Sequence, residues 1–262
     1  MILGRRDYKL HHQFKGKSVL VTGSSRGIGR TIAEAFLSQG AEVAFNARNA
    51  NELKRVCAAH TEGNSIALDG DMSQPDHACS VVERVLAAFG KLDILVCNVG
   101  SGRSVPPGTE THDEWVRVFG LNLWSATNVV EASRQALKKS NGAIVCISSI
   151  CGSELVPGAP VTYSAAKSAL NAYVRGIARP LGRDGVRINA IAPGNILFEG
   201  SVWQRKLTED AAAVEEMLTR DVALAKLGST EDISNLALWL SSPASSFCTG
   251  SVFVVDGGQS RS

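Results

Sequence analysis

Short apolar runs alternate with longer amphipathic stretches along the whole chain. The runs at residues 18–22, 42–47, 65–68, 93–97, 143–148, 186–191 and 252–255 read as strands. The stretches at 28–38, 51–59, 75–89, 113–138, 163–181, 207–224 and 231–241 read as helices. The early runs are apolar without clean alternation, as a parallel sheet covered on both faces requires. Strand–helix–strand alternation then predicts a doubly wound α/β fold. Pro180 predicts an end or a kink in its helix, because proline lacks the N–H and crowds the preceding turn. No linker, repeat or low-complexity segment interrupts the 262 residues, so a single domain is expected.

Composition removes several function classes. Apolar residues are 44% and charged residues 20%, which excludes a disordered chain. Lys plus Arg is 27 against 25 for Asp plus Glu, and no basic block exceeds a pair, so no nucleic-acid partner is expected. No apolar run approaches the roughly 18 residues that span a bilayer, so no membrane partner is expected. The first fourteen residues are charged and lack the apolar region of a signal peptide, so a cytoplasmic protein is expected. Cys57, Cys79, Cys97, Cys146, Cys151 and Cys248 show no Cys-x-x-Cys pair and read as free thiols. His60 and His112 have no partner in any site pattern, and no metal site is expected.

Ligands of doubly wound sheets bind beyond the carboxyl ends of the strands. After the first run comes Thr22-Gly23-Ser24-Ser25-Arg26-Gly27-Ile28-Gly29. Glycines there allow a tight turn and close approach to a diphosphate, and the following helix offers free N–H groups. The spacing is Gly-x3-Gly-x-Gly, and a purely structural strand–helix turn is the competing reading. After the second run no acid stands ready for an adenosine ribose. Arg48 stands there instead, and Arg26 lies in the glycine loop. Each alone reads equally as a solvated charge. The two together favour a 2′-phosphate, hence NADP(H).

Tyr163 and Lys167 are spaced i, i+4 and so share one helix face. A cation one turn away favours the phenolate and lowers the tyrosine pKa toward a usable range. Ser149 ends the fifth run, where a hydroxyl can hydrogen-bond a substrate carbonyl.

With these residues in place, the chain resembles the short-chain dehydrogenase/reductase family over nearly its full length. The matching marks are TGSSRGIG at 22–29, Asn98-x-Gly100, LNL around Asn122 and ISSICG around Ser149. Tyr163-x3-Lys167, Ala192-Pro193-Gly194 and the closing Val255-Asp256-Gly257-Gly258 complete them. The resemblance implies a Rossmann-type sheet of seven parallel strands over 15–262, after an N-terminal extension of residues 1–14. It implies a homo-oligomer, tetramer or dimer, and a tetrad. Tyr163 is then the general acid or base, Lys167 the ribose ligand that tunes it, and Ser149 the carbonyl-polarising hydroxyl. Asn122 holds a relay water, although a helix-interior Asn satisfied by backbone is its bland reading. Asp71 and Met72 match the pair that contacts adenine, and Asn98 and Gly100 the loop beside the adenosine ribose. Gly23, Ser25, Arg26, Gly27, Ile28, Gly29 and Arg48 form the expected phosphate side. Pro193, Gly194 and Ile196 form the expected carboxamide side.

Two departures stand out. Val99 replaces a small residue beside the cofactor path. Phe198 occupies the position where the family often has a carboxamide-binding Thr. Residues 197–227 match the variable substrate lid, where Phe198, Trp203 and Met217 either line a pocket or face the core. The implied activity is NADPH-dependent reduction of a small-molecule ketone, with a 3-oxoacyl thioester as the first substrate class. A nucleotide sugar or secondary metabolite is the alternative. An NADP(H)-binding regulatory protein is the non-enzymatic one, and the intact tetrad argues against it.

Overall fold

The structure, a computed structural model, describes residues 13–60 and 64–260. The chain runs β1 (Ser18–Val21), α1 (Gly27–Ser38), β2 (Glu42–Ala47), α2 (Ala50–Ala58), β3 (Ser65–Asp69), α3 (Pro75–Phe89) and β4 (Ile94–Cys97). It continues through α4 (His112–Phe119), α5 (Ser125–Ser140), β5 (Ala143–Ile147), α6 (Val161–Arg183), β6 (Arg187–Pro193) and β7 (Ile196–Leu197). It closes with α7 (Val202–Glu209), α8 (Ala211–Asp221), β8 (Gly228–Ser229), α9 (Thr230–Ser241) and β9 (Val252–Val255). Seven strands form one sheet in the order β3-β2-β1-β4-β5-β6-β9, all pairs parallel. The doubly wound α/β fold expected from the alternation is present.

Successive residues of a strand face opposite sides, so each central strand must feed two cores. Leu20 and Leu95 join Val82, Val129 and Leu170 on one side of the sheet. Val19, Val21, Ile94 and Val96 join Ile32, Phe36 and Ile233 on the other. β1, β4 and β5 are buried throughout, which explains their unbroken apolar sequence. Phe14 closes the second core, its ring edge-on to Phe36 at 4.9 Å. It is the last residue of the expected N-terminal extension, whose residues 1–12 lie outside the described residues.

Three helices differ from their sequence reading. α6 runs through Pro180 to Arg183 instead of ending there. The carbonyl four residues earlier belongs to Gly176, which is exposed, so the bond that proline forfeits is left on a solvent-facing turn. The stretch expected as one helix over 113–138 contains a π turn, Gly120–Trp124, between α4 and α5. The stretch expected as one helix over 207–224 is two, because Asp210 leaves the helical backbone and caps α8 by accepting from the Ala213 N–H at 2.9 Å. The short parallel pair β7–β8, Ile196 opposite Gly228 and Leu197 opposite Ser229, was not foreseen.

Sheet order reverses between β1 and β4, and this opens the crevice for a ligand. Asp93 fixes the other end of that strand pair. Its carboxylate accepts from Lys17 Nζ at 2.9 Å and from the Ser18 N–H at 3.0 Å, with Lys91 Nζ at 3.1 Å. Burial pushes its pKa up, but Lys17, the Ser18 N–H and Lys91 outweigh burial and hold it below the usual carboxylate range. A depressed carboxylate stabilises the fold above its unfolded pKa and loses that contribution as pH falls through the folded value. Asp93→Asn is therefore expected to cost about 1–3 kcal/mol at neutral pH. The gap between variant and wild type should narrow below about pH 4, as urea unfolding at a series of pH values will measure.

Candidate active site

The glycine loop turns at Gly23, whose φ is +62°, and enters α1 at Gly27, whose φ is +56°. Ser24 is buried and pins the loop, its hydroxyl donating to the Val21 carbonyl at 2.8 Å. A Cβ on Gly29 would stand 2.5 Å from the Gly23 carbonyl oxygen and run into Asn98, so only glycine lets α1 approach this closely. α1 begins without a side-chain cap and without an acid in its first turn. Asn49, Thr111, Ser201, Asp210 and Ser229 do cap their helices. The first N–H groups of α1 thus keep their capacity for an anion, and the loop fits a dinucleotide diphosphate. Ser25 and Ile28 are half-buried beside them.

Arg26 and Arg48 are both exposed, and no ion pair engages either among the described residues. Asn98 is a clasp: its Nδ2 donates to the carbonyls of Thr22 at 3.1 Å and Gly23 at 2.9 Å. Asp71 accepts from the Ser73 N–H at 2.9 Å. Met72 is buried in the first core, and its carbonyl accepts from Asn128 Nδ2 at 3.1 Å. Val99 packs toward Gly23, 3.2 Å from where a Cβ on that glycine would stand. Pro193 and Gly194 end β6, with the Gly194 N–H donating to Val255 at 3.0 Å. Ile196 is held in β7.

Ser149 follows β5 and opens a single 3-10 turn, accepting from the Cys151 N–H at 3.2 Å. That turn is stapled to α6. Ser148 donates to Asn171 at 2.6 Å, and Ser168 to the Gly152 carbonyl at 2.9 Å. A Cβ on Gly152 would stand 2.7 Å from the Lys167 backbone, so glycine permits the contact. Lys167 Nζ donates to the Ile147 carbonyl at 2.8 Å and lies 5.9 Å from the centre of the Tyr163 ring. Gly100 faces both Lys167 and Asn122. A Cβ there would stand 3.1 Å from Lys167 Nζ and 2.9 Å from Asn122 Oδ1.

Burial governs the charges. It pushes the Tyr163 phenol up to about 12, while a hydrogen bond with Ser149 pulls the other way. Burial also brings Lys167 down to about 8. Burial is the larger influence on both groups, with the Lys167 ammonium beside the Tyr163 ring.

A polar clamp beside the tetrad escaped the sequence reading. Asn122 accepts from the Ser101 N–H at 3.0 Å and donates to the carbonyls of Ser101 and Val118 at 3.2 and 3.0 Å. Arg117 donates to the Arg103 carbonyl at 3.0 Å. The Ser104 hydroxyl donates to Glu114 at 2.7 Å and meets the Thr162 hydroxyl at 2.6 Å. Arg117 and Ser104 together bring the Glu114 carboxyl down to about 2. The loop after β4 is thereby fixed against the tetrad, with Gly102 facing the Tyr163 ring. Its Ser-Gly-Arg-Ser sequence was the available signal. Within 195–227, Phe198 packs onto Gly27, Met217 Sδ accepts from Asn195 at 3.9 Å, and Lys206 covers the Trp203 ring at 4.5 Å.

A family model described as Enoyl-(Acyl carrier protein) reductase matches residues 23–260. The chain is 35% identical over 248 residues to a tropinone reductase homolog of Arabidopsis thaliana, covering 93% of this chain and 92% of that protein. It is 33% identical over 246 residues to the 3-oxoacyl-[acyl-carrier-protein] reductase FabG of Escherichia coli, covering 94% and 98%. The crystal structure of L-sorbose reductase from Gluconobacter frateurii, complexed with NADPH and L-sorbose, matches with a TM-score of 0.88. That match is 28% identical and covers 95% of this chain and 98% of that one.

The Lys167 assignment has a thermodynamic consequence. Its folded pKa of about 8 lies below the ordinary 10.5, so the unfolded chain binds more protons between those values. Stability from this group therefore rises with pH across that window. Against Lys167→Met, the wild type is expected to gain up to ~3 kcal/mol between pH 8 and 10.5, read from paired urea titrations.

Proposed function

The chain belongs to the short-chain dehydrogenase/reductase family, and from that premise we propose that it is an NADPH-dependent reductase converting a small-molecule ketone to a secondary alcohol. As a member it is an oxidoreductase acting on CH–OH groups. The observation that carries the finer reading is the meeting of Ser149, Tyr163 and buried Lys167 beside an uncapped glycine loop.

NADPH, when bound, supplies the hydride for the carbonyl carbon. Gly23, Ser25, Gly27, Ile28 and Gly29 hold its diphosphate at the α1 terminus, and Arg26 and Arg48 take the 2′-phosphate. Asp71, Met72, Asn98 and Gly100 border the adenosine, and Pro193, Gly194 and Ile196 border the carboxamide. The Ser149 hydroxyl donates to the substrate carbonyl oxygen. Tyr163 gives its proton to that oxygen as negative charge develops there. The Lys167 ammonium, one turn along α6, favours the resulting tyrosinate and binds ribose hydroxyls. The Asn122 amide is committed to Ser101 and Val118, so a relay water falls to the main chain of the π turn.

Likeness to FabG supports a 3-oxoacyl thioester as the substrate class. A homo-oligomer is supported by two exposed apolar groups. Trp239 of α9 meets Phe253 of β9 edge-on and Val254 lies on β9, the last strand of the sheet, and Val116, Trp124 and Val161 lie on α4, the π turn and α6. Six unpaired cysteines support a reducing, cytoplasmic setting.

Tyr163→Phe is expected to lower turnover of a 3-oxoacyl thioester at least about 100-fold while leaving NADPH binding intact. Retained turnover would overturn the mechanism, and binding without turnover in the wild type would favour a regulatory protein. Cofactor choice is read from melting curves. NADPH should raise Tm more than NADH at equal concentration, and Arg26→Ala with Arg48→Ala should remove the difference. Loss of charge-assisted bonds to one phosphate corresponds to roughly 10- to 100-fold in Kd. A larger shift with NADH would overturn the NADPH assignment.

A further inference from the structure

Phe198 stands where the family resemblance leads one to expect a small polar residue, and its ring has an unexpected seat. A Cβ on Gly27 would lie 2.7, 2.8 and 3.1 Å from three carbons of that ring. The ring therefore rests directly on the glycine at the start of α1. That glycine is part of the terminus whose N–H groups carry no side-chain cap. The lid makes a second contact with the same loop: Arg26 Nη1 is 3.3 Å from where a Cβ on Gly200 would stand.

We infer that Phe198 is a gate on the cofactor seat, its ring and the dinucleotide diphosphate competing for the face of Gly27. The inference rests on the dinucleotide-binding reading above and adds a residue and a step to it. With the ring in van der Waals contact with the backbone, no phosphate oxygen fits between them. An aromatic ring also offers no acceptor to helix-terminal N–H groups, whereas a diphosphate offers several. The exchange consequently runs toward the anion.

The lid is built to move with that ring. The Ser201 N–H donates to the Phe198 carbonyl at 3.0 Å, and the Phe198 N–H donates back to Ser201 Oγ at 3.3 Å. Gly200, with φ +76°, lies inside this turn, and Ser201 caps α7 through the Gln204 N–H at 3.0 Å. Phe198, its turn and α7 form one unit. Upstream, Leu197 is anchored opposite Ser229. The pivot thus lies between Leu197 and Phe198, and displacement of the ring carries α7 and Trp203.

Stopped-flow mixing with NADPH, followed by tryptophan and nicotinamide fluorescence, tests the gate. In the wild type the observed rate should level off as NADPH rises, because opening becomes limiting. Phe198→Ala should remove the plateau, and Phe198→Leu, which keeps an apolar cover, should retain it. If the covered state holds about nine-tenths of the molecules, clearing it tightens the apparent Kd about tenfold. A linear wild-type dependence, or unchanged or weaker binding by Phe198→Ala, overturns the gate while leaving dinucleotide binding in place. Failure of wild type and variant alike to bind NADPH or NADH overturns both.

Discussion

The carboxyl edge of the sheet depends on the clasp between Thr22 and Asn98. Thr22 and Asn98 end the two strands between which sheet order reverses, where the backbone must diverge to make room for a ligand. Diverging strands leave polar groups unpaired, and a buried unpaired group costs about as much as a lost hydrogen bond. The Asn98 side chain replaces that pairing by donating to the carbonyls of Thr22 and Gly23. The Thr22 hydroxyl accepts from the Asn98 N–H at 3.0 Å. With this clasp closed, Gly29 brings α1 against the loop, and the helix terminus faces the crevice. Asn98, which the family resemblance expects beside a cofactor, thus first holds the glycine loop in place.

The same economy governs the tetrad. Lys167 is 3% exposed, a placement that isolated lysines almost never take. It is satisfied by the Ile147 carbonyl and crowded by glycines at 100 and 152. Those glycines are therefore part of the chemistry, although neither bears a functional group. Burial that keeps Tyr163 protonated also weakens the charge on Lys167. Burial acts on the phenol and the ammonium alike, with the Ser149 hydroxyl opposing it at the phenol.

Much of this was legible in the sequence because strand and helix alternation reports burial on two sheet faces, which packing then enforces. The glycine loop and the Tyr163–Lys167 spacing were legible because each is local. What was not legible depended on contacts between distant segments. Pro180 is tolerated because its turn faces solvent, a fact of tertiary placement. The π turn at Asn122 is a fault in helical phase that periodicity averages away. The clamp of Ser104 by Glu114 and Thr162 joins three segments whose polar residues are individually ordinary. Phe198 was visible as a departure, but only its contact with Gly27 gives it a role.

The loop beside Tyr163 and the segment that meets the glycine loop are held by different forces. Residues 101–104 are bound through main-chain and side-chain hydrogen bonds to the π turn, α4 and α6, with a carboxylate at Glu114 that stays ionised far below neutral pH. Directional bonds of this kind fix a geometry and resist displacement. The segment before α7 meets the glycine loop through the Phe198 ring and Gly200, and α7 itself has no buried residue. Non-directional contact of limited area can be exchanged for another ligand without breaking a network. The hydrogen-bonded side thus resists displacement, whereas the side carrying the Phe198 ring is held by contact that has no preferred direction.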